Sequence, residues 1–206
     1  LRTVSVALPG VFESTIFSRQ VPVTSSPYIR AMHPKTEIRP EATAIKKALG
    51  AGWVGQTKIH GHRAQIHLPA DVAAPVTVFN RQGRPHAKAL PAALVAELRR
   101  LIPARDGFTV LDAEWTKDDD HLYLFDVLRW EGKSLAALTY PERYELLPRV
   151  YSSESVTTLP LFTTVEQCLK VLGDPDPKVE GLVFKARRAK GFGDANVVRC
   201  RKSPRH

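Results

Sequence analysis

Cysteine is scarce in this chain: only Cys168 and Cys200 occur among 206 residues, far apart and outside any metal-ligand spacing. That excludes a disulfide framework and a zinc-ribbon arrangement, and a reducing cytoplasm is the setting such usage fits. Long apolar runs are absent as well. No stretch approaches the ~20 residues that cross a bilayer, and Leu1 to Pro9 is too short and too interrupted for a signal peptide. Acids are outnumbered, with 21 Asp and Glu against 30 Lys and Arg and a formal charge of +9. With a pI near 9.8, the expected partner is a polyanion, nucleic acid first, and no membrane. Internal repeats and low-complexity linkers are also missing, so one main domain is expected over residues 31–206. Residues 1–30, broken by Pro9, Pro22 and Pro27, form a lead-in packed on it. The remaining composition, 43% hydrophobic and 25% charged, is that of an ordinary globular chain. A domain of this size buries about 70% of its unfolded surface.

The patterning predicts short strands with a few helices outside them. Pro40 opens a helix through Ile45 and Leu49 that Gly50 stops. Strand-like alternation flanks Gln56-Thr57-Lys58-Ile59-His60-Gly61-His62-Arg63, and a third strand runs Val76 to Phe79. Leu90, Leu94, Leu98 and Leu101 recur at helical spacing. Phe108–Trp115 and Leu122–Leu128 read as strands joined by an Asp118-Asp119-Asp120 turn. Thr139 with Glu142, and Thr163 with Glu166, have capping-box spacing ahead of two more helices. Gly181 to Phe184 and Val197 to Arg201 are the closing strands. The expected fold class is α+β, antiparallel sheets flanked by helices.

Lys58 is pinned in a strand and followed three residues later by Gly61, which lets a bulky anion approach the backbone. Alone, such a lysine is commonly just solvated. Further along stand Asn80-Arg81-Gln82-Gly83, Leu111-Asp112-Ala113-Glu114, Leu124-Phe125-Asp126-Val127-Leu128, Glu180-Gly181-Leu182-Val183-Phe184-Lys185 and Val198-Arg199-Cys200-Arg201. Together they supply an amine nucleophile, strand carboxylates, an aromatic and several cations. That inventory suits attack on a phosphoanhydride, with carboxylates for a divalent metal, cations for phosphate oxygens and an aromatic face for a base. Singly, Phe125 reads as a core residue and Arg199 and Arg201 as a solvated strand face. Jointly with Lys58 they read as a site.

In order and flanking residues these stretches resemble the covalent nucleotidyltransferase superfamily, and within it the adenylation domain of ATP-dependent DNA ligases. The likeness extends through Glu131-Gly132-Lys133-Ser134-Leu135 and Glu142-Arg143. It implies an ATP-grasp-like nucleotidyltransferase domain, here with no C-terminal OB-fold, that seals nicks in duplex DNA through a lysyl-AMP intermediate. The resemblance gives Lys58 the attack on the α-phosphate of ATP; a free amine with a pKa near ~10.4 must be made more acidic for this, by nearby arginine and metal charge. Glu114 would contact ribose or metal and Glu180 would hold the metal, Mg²⁺ with Mn²⁺ as the alternative. Phe125 would stack on adenine, with Gln56 and the Thr57 backbone at the adenine edge. Arg63 and Arg81 would face ribose and phosphate. Lys185, Arg199 and Arg201 would neutralise the α-phosphate and leaving pyrophosphate. A monomer in a bacterial or phage-type cytoplasm, nucleoid-associated and aided by a separate OB-fold subunit or domain, is the implied setting.

Two departures qualify the likeness. His60 stands where that family's first motif usually has an acid, and imidazole cannot repeat a carboxylate's attraction for Mg²⁺. Arg199 and Arg201 stand where it usually has lysines, planar forks instead of mobile point charges. His60 and His62, expected on one strand face, raise a transition-metal site as a minor alternative. An RNA ligase on the same fold and a catalytically decayed nucleic-acid binder are the rival functions. Nucleic-acid binding is expected to weaken steeply with salt, through a basic face that includes Arg187, Arg188 and Lys190.

Overall fold

The chain changes sheets at one glycine, and that crossing makes the molecule's cleft. The computed structural model describes residues 27–102, 105–148 and 152–202; the lead-in expected before residue 27 lies outside them. Helix α1 (Ala42–Gly50) buries Ile45, and the chain turns at Gly52, whose φ of +84° favours glycine. Strand β1 (Trp53–Ile59) enters one sheet, and β2 (His62–Pro69) enters another. Between them Gly61 lies so close to β4 that a Cβ there would meet the Trp115 carbonyl oxygen at 2.9 Å. His60 lies past the end of β1 and His62 opens β2, so the two do not share a strand face.

The remaining elements follow in turn. After β3 (Thr77–Phe79) and α2 (Ala92–Leu101) come the long hairpin β4 (Phe108–Thr116) and β5 (His121–Trp130). The predicted aspartate turn joins them, with Asp120 at φ +50°. Two short elements escaped prediction: β6 (Lys133–Ser134), and β7 (Val156–Thr158), which pairs parallel with β5. Helix α3 (Tyr140–Tyr144) starts from the predicted Thr139–Glu142 capping box. Helix α4 (Val165–Leu172) starts one residue later than expected, from Thr164, whose hydroxyl accepts from Gln167 N. The chain ends its described course with β8 (Val179–Ala186) and β9 (Val197–Arg201).

The smaller sheet has the order β1-β8-β9, all antiparallel; the larger runs β3-β2-β4-β5-β6. Alternation along each strand gives one face to a core and the other to the space between sheets. Helices α1 and α4 cover the outer face of the small sheet around Ile45, Cys168, Leu182, Phe184 and Cys200. The large sheet buries Ala64, Ile66, Leu68, Leu111, Ala113 and Trp115 with Leu94 and Leu98 of α2. The expected α+β architecture of mainly antiparallel sheets with outer helices is the one observed.

Candidate active site

A cleft of about 760 Å³ opens between the two sheets, lined from both. Gln56, Thr57 and Lys58 come from β1, Arg63 from β2, Asp112 and Glu114 from β4, Phe125 from β5, and Glu180, Val183 and Lys185 from β8. Arg81 enters from the turn after β3.

Two of these side chains reach the cleft because the strand register slips. In β8, Lys58 pairs with Gly181 but Ile59 pairs with Val179, so Glu180 is left over in a bulge. Plain alternation would aim Glu180 with Leu182 and Phe184 into the helix-covered core. The bulge turns it towards the cleft, where it ion-pairs with the Lys58 ammonium and meets His60 Nδ1 at 2.6 Å. Burial raises the Glu180 pKa, but hydrogen bonds from Lys58 and His60 outweigh that and hold it below the usual carboxylate value. Phe125 is the extra residue of a second slip, since Asp112 pairs with Asp126 while Ala113 pairs with Leu124. Its ring lies 5.2 Å from the Arg63 guanidinium carbon and 4.6 Å from Lys185 Nζ, both cation–π distances.

Behind Phe125 sits a polar layer in which the predicted Gln56 and Lys185 meet Tyr140, a residue the sequence pattern did not single out. Lys185 Nζ donates to Gln56 Oε1 at 3.0 Å and lies 4.1 Å from the Tyr140 ring centre. The Tyr140 hydroxyl stands 2.9 Å from Gln56 Oε1 and 2.7 Å from the Phe125 carbonyl. Gln56 Nε2 donates to the Leu159 carbonyl at 2.9 Å. Both ends of the Gln56 amide are thus bonded within the protein, and the residue is 2% exposed. Gln56 is thus tied to the Leu159 carbonyl and orients Lys185. Burial pulls the Lys185 pKa down to about 7, against the attraction of Asp126 and Asp112.

Arg63 is held by a two-pronged pair with Asp112 and donates to the Met32 carbonyl at 2.9 Å. Burial opposes its charge, but Asp112 more than compensates and keeps it firmly protonated. Asp112 and Glu114 are two apart on one strand, which places both on the cleft face; that spacing was the available signal for Asp112. Burial raises the Glu114 pKa to about 7, with Arg63 and Lys58 opposing and Asp112 and Glu180 reinforcing the rise. One layer further back, Arg143 makes a bidentate pair with Asp126 at 2.9 and 3.0 Å, both side chains fully buried.

Arg199 and Arg201 are not among the cleft-lining residues. Both turn onto Glu37, with Nε–O distances of 3.0 and 2.9 Å. Both guanidinium groups are engaged by this carboxylate, whose pull on them the sequence pattern could not foretell. Among the described residues no cluster of three or more His, Cys, Asp or Glu is disposed to hold a metal.

A family model described as RNA ligase matches residues 51–201. The chain belongs to that family. It is a nucleotidyltransferase ligase domain, and the matched span holds every cleft residue just described except those before β1. Among solved structures, Pmar-Lig is similar at 16% identity and a TM-score of 0.51, over 81% of this chain and 46% of that one; this likeness shows the fold. A mycobacterial DNA ligase D complexed with ATP and MES is similar at 21% identity and a TM-score of 0.48, over 72% of this chain and 54% of that one. An archaeal ATP-dependent RNA ligase is similar at 13% identity and a TM-score of 0.48, over 84% of this ligase domain and 48% of that chain. The domain spans about half the length of these solved chains. A comparison with curated proteins finds no match. Among the described residues no helix is long and apolar enough to cross a membrane.

Proposed function

We propose that this domain carries the adenylylation chemistry of an ATP-dependent polynucleotide ligase, with Lys58 as the residue that takes the nucleotide. One observation carries the reading: the Lys58 amine lies where the chain passes between sheets, in a two-sided cleft shared with Lys185, Glu114 and Glu180. ATP is then a substrate. The Lys58 ammonium first gives a proton to its Glu180 partner. The freed nitrogen lone pair then bonds to the α-phosphorus as the bond from that phosphorus to the bridging oxygen breaks, pyrophosphate leaves with the electron pair, and the nitrogen's second proton passes to solvent. Lys58 keeps AMP as a phosphoramidate until a 5′-phosphate of the polynucleotide attacks it. The 3′-hydroxyl of the adjoining strand then displaces AMP. Each step is an in-line phosphoryl transfer, so positioning and charge neutralisation supply the catalysis.

The residues divide that work. Phe125 offers a face to the adenine, and Arg63, locked by Asp112, presents a fixed cation beside it. Lys185 stands ready as a buried cation for the α-phosphate. Glu114 and Glu180 are the carboxylates that would hold Mg²⁺ or Mn²⁺. Both oxygens of Glu180 are engaged by Lys58 and His60, so Glu114 and phosphate oxygens would supply most ligands, a pattern that suits Mg²⁺. When bound, the metal supplies charge neutralisation at the phosphates.

For the polynucleotide we propose nicked duplex DNA, met through the basic surface beside the cleft, where Arg81 and Arg84 lie. RNA is the second reading, favoured by the RNA ligase description of the matching family. Incubation with α-labelled ATP and Mg²⁺ or Mn²⁺ should give a labelled protein band that Lys58→Ala abolishes. Chasing that band with nicked duplexes ending in deoxyribose or ribose separates the two substrates. No band with either metal would refute the enzyme and leave a decayed binder.

A further inference from the structure

Directly opposed residues in antiparallel strands project to the same face of a sheet. Reading across β1, β8 and β9, one row is Lys58, Gly181 and Arg201, and the next is Gln56, Val183 and Arg199. Both arginines therefore belong to the face that carries Lys58 and Lys185. Strands lie about 4.8 Å apart, so Arg201 and Lys58 stand roughly 10 Å apart at their Cα atoms. The residue between them is a glycine with no side chain to fill the gap. Arg201 also feels the attraction of Glu180, the carboxylate paired with Lys58. The row thus leads from the nucleophile to a pair of guanidinium groups.

What occupies that pair is Glu37. Its Oε2 accepts from Arg199 Nε at 3.0 Å and from Arg201 Nη2 at 2.9 Å, and its Oε1 accepts from Arg201 Nε at 2.9 Å. Three N–H donors on two oxygens is the pattern in which paired arginines take a phosphate. The backbone beneath is fixed: Ile38 N donates to Arg199 O at 2.9 Å and Arg199 N to Thr36 O at 3.1 Å. The side chains are open to solvent, Glu37 34% and Arg201 51% exposed. Two positive charges on one carboxylate leave one charge unbalanced, which a more highly charged anion would balance better.

We propose that Glu37 is a built-in stand-in for phosphate, which holds Arg199 and Arg201 together in the empty domain and gives them up to the pyrophosphate portion of the bound nucleotide. No covalent bond changes in this exchange; the guanidinium donors pass from carboxylate to phosphate oxygens. Glu37 therefore competes with the anion for its seat and weakens the hold on pyrophosphate, which aids release of the leaving group. The inference rests on ATP being the substrate of Lys58.

Calorimetric titration with inorganic pyrophosphate tests it, on the full chain carrying Glu37→Gln or Glu37→Ala. Both variants should bind pyrophosphate roughly three- to tenfold more tightly, the scale of one partly exposed charge-assisted contact removed. The KM for ATP in self-adenylylation should fall alongside, while AMP affinity stays unchanged. Adding Arg199→Ala and Arg201→Ala to Glu37→Gln should erase the gain. Equal or weaker pyrophosphate binding in both variants overturns the proposal. If Lys58 takes label normally while these variants bind pyrophosphate as the parent does, only the role of Glu37 falls. If Lys58 never takes label but the variants still tighten pyrophosphate binding, the adenylylation reading falls and the anion seat stands.

Discussion

Replacing Lys185 with methionine should flatten the response of stability to alkaline pH. The Lys185 amine is buried against Phe125 and Tyr140, and desolvation lowers its pKa from 10.5 to about 7. The folded-state value is depressed, so between pH 7 and 10.5 the unfolded chain binds a proton that the folded one lacks. Stability from this group therefore rises as pH rises through that window and is lost as pH falls towards 7. Integrated from pH 7 to pH 9, the linkage amounts to about 2 kcal/mol. Methionine keeps the length and apolar stem without a proton to exchange, and the Tyr140 hydroxyl remains 2.9 Å from Gln56 Oε1 to satisfy that oxygen. Urea unfolding at pH 7, 8 and 9 gives the measurement. The parent should gain about 2 kcal/mol more than Lys185→Met between the end points. Glu114 and the cysteines titrate in both proteins and drop out of the difference. Parallel curves would show that Lys185 is charged in the empty cleft and would refute the burial argument.

Two further substitutions probe the frame. Arg143→Met leaves the Asp126 carboxylate buried without its bidentate partner, and should cost about 3–5 kcal/mol in urea unfolding. Adding Asp126→Leu should recover much of that loss, because the unpaired charge is gone. Gly181→Ala would put a Cβ 2.3 Å from the Cys200 carbonyl oxygen and 2.8 Å from the Arg201 Cα, at a φ of +143°. It should destabilise by on the order of 3 kcal/mol and lower the melting temperature. Self-adenylylation should fall with it, since the same bulge aims Glu180.

Long strands and their alternation were legible without coordinates, and so was the cleft residue Lys58 in β1. Segments of two or three residues such as β6 and β7 are too short for a period of two to register. The capping threonine of α4 was misplaced by one because Thr163 and Thr164 are adjacent and Gln167 caps as well as Glu166 would. Harder to read were features that exist only between distant segments. Glu180 reaches Lys58 because one residue is unpaired in β8, and alternation alone aims it the other way. His60 and His62 look like one strand face until Gly61 carries the chain from one sheet to the other. Arg199 and Arg201 meet a carboxylate more than 160 residues away in sequence, and no local pattern encodes that.

The pKa values near neutrality in the cleft have a common origin. Glu114 and Lys185 lie on facing sheets and each is pushed to about 7, one upward and one downward, with burial as the first cause in both. Among the described residues neither has a dedicated counter-ion of the kind Asp112 provides for Arg63 or Asp126 for Arg143. The frame is thus built from paired charges, while the residues facing the open space keep charges that the protein itself only half stabilises. A nucleotide phosphate would complete Lys185 and a divalent cation would complete Glu114, each supplying the missing opposite charge in a low-dielectric setting where it counts most. The same logic applies to Arg199 and Arg201, which share the single carboxylate of Glu37, too weakly charged to balance both. In this domain the incompletely paired charges, Lys185, Glu114 and the two arginines, sit on the cleft-side faces of the two sheets, with Arg201 in the same strand row as Lys58 and Arg199 in the next.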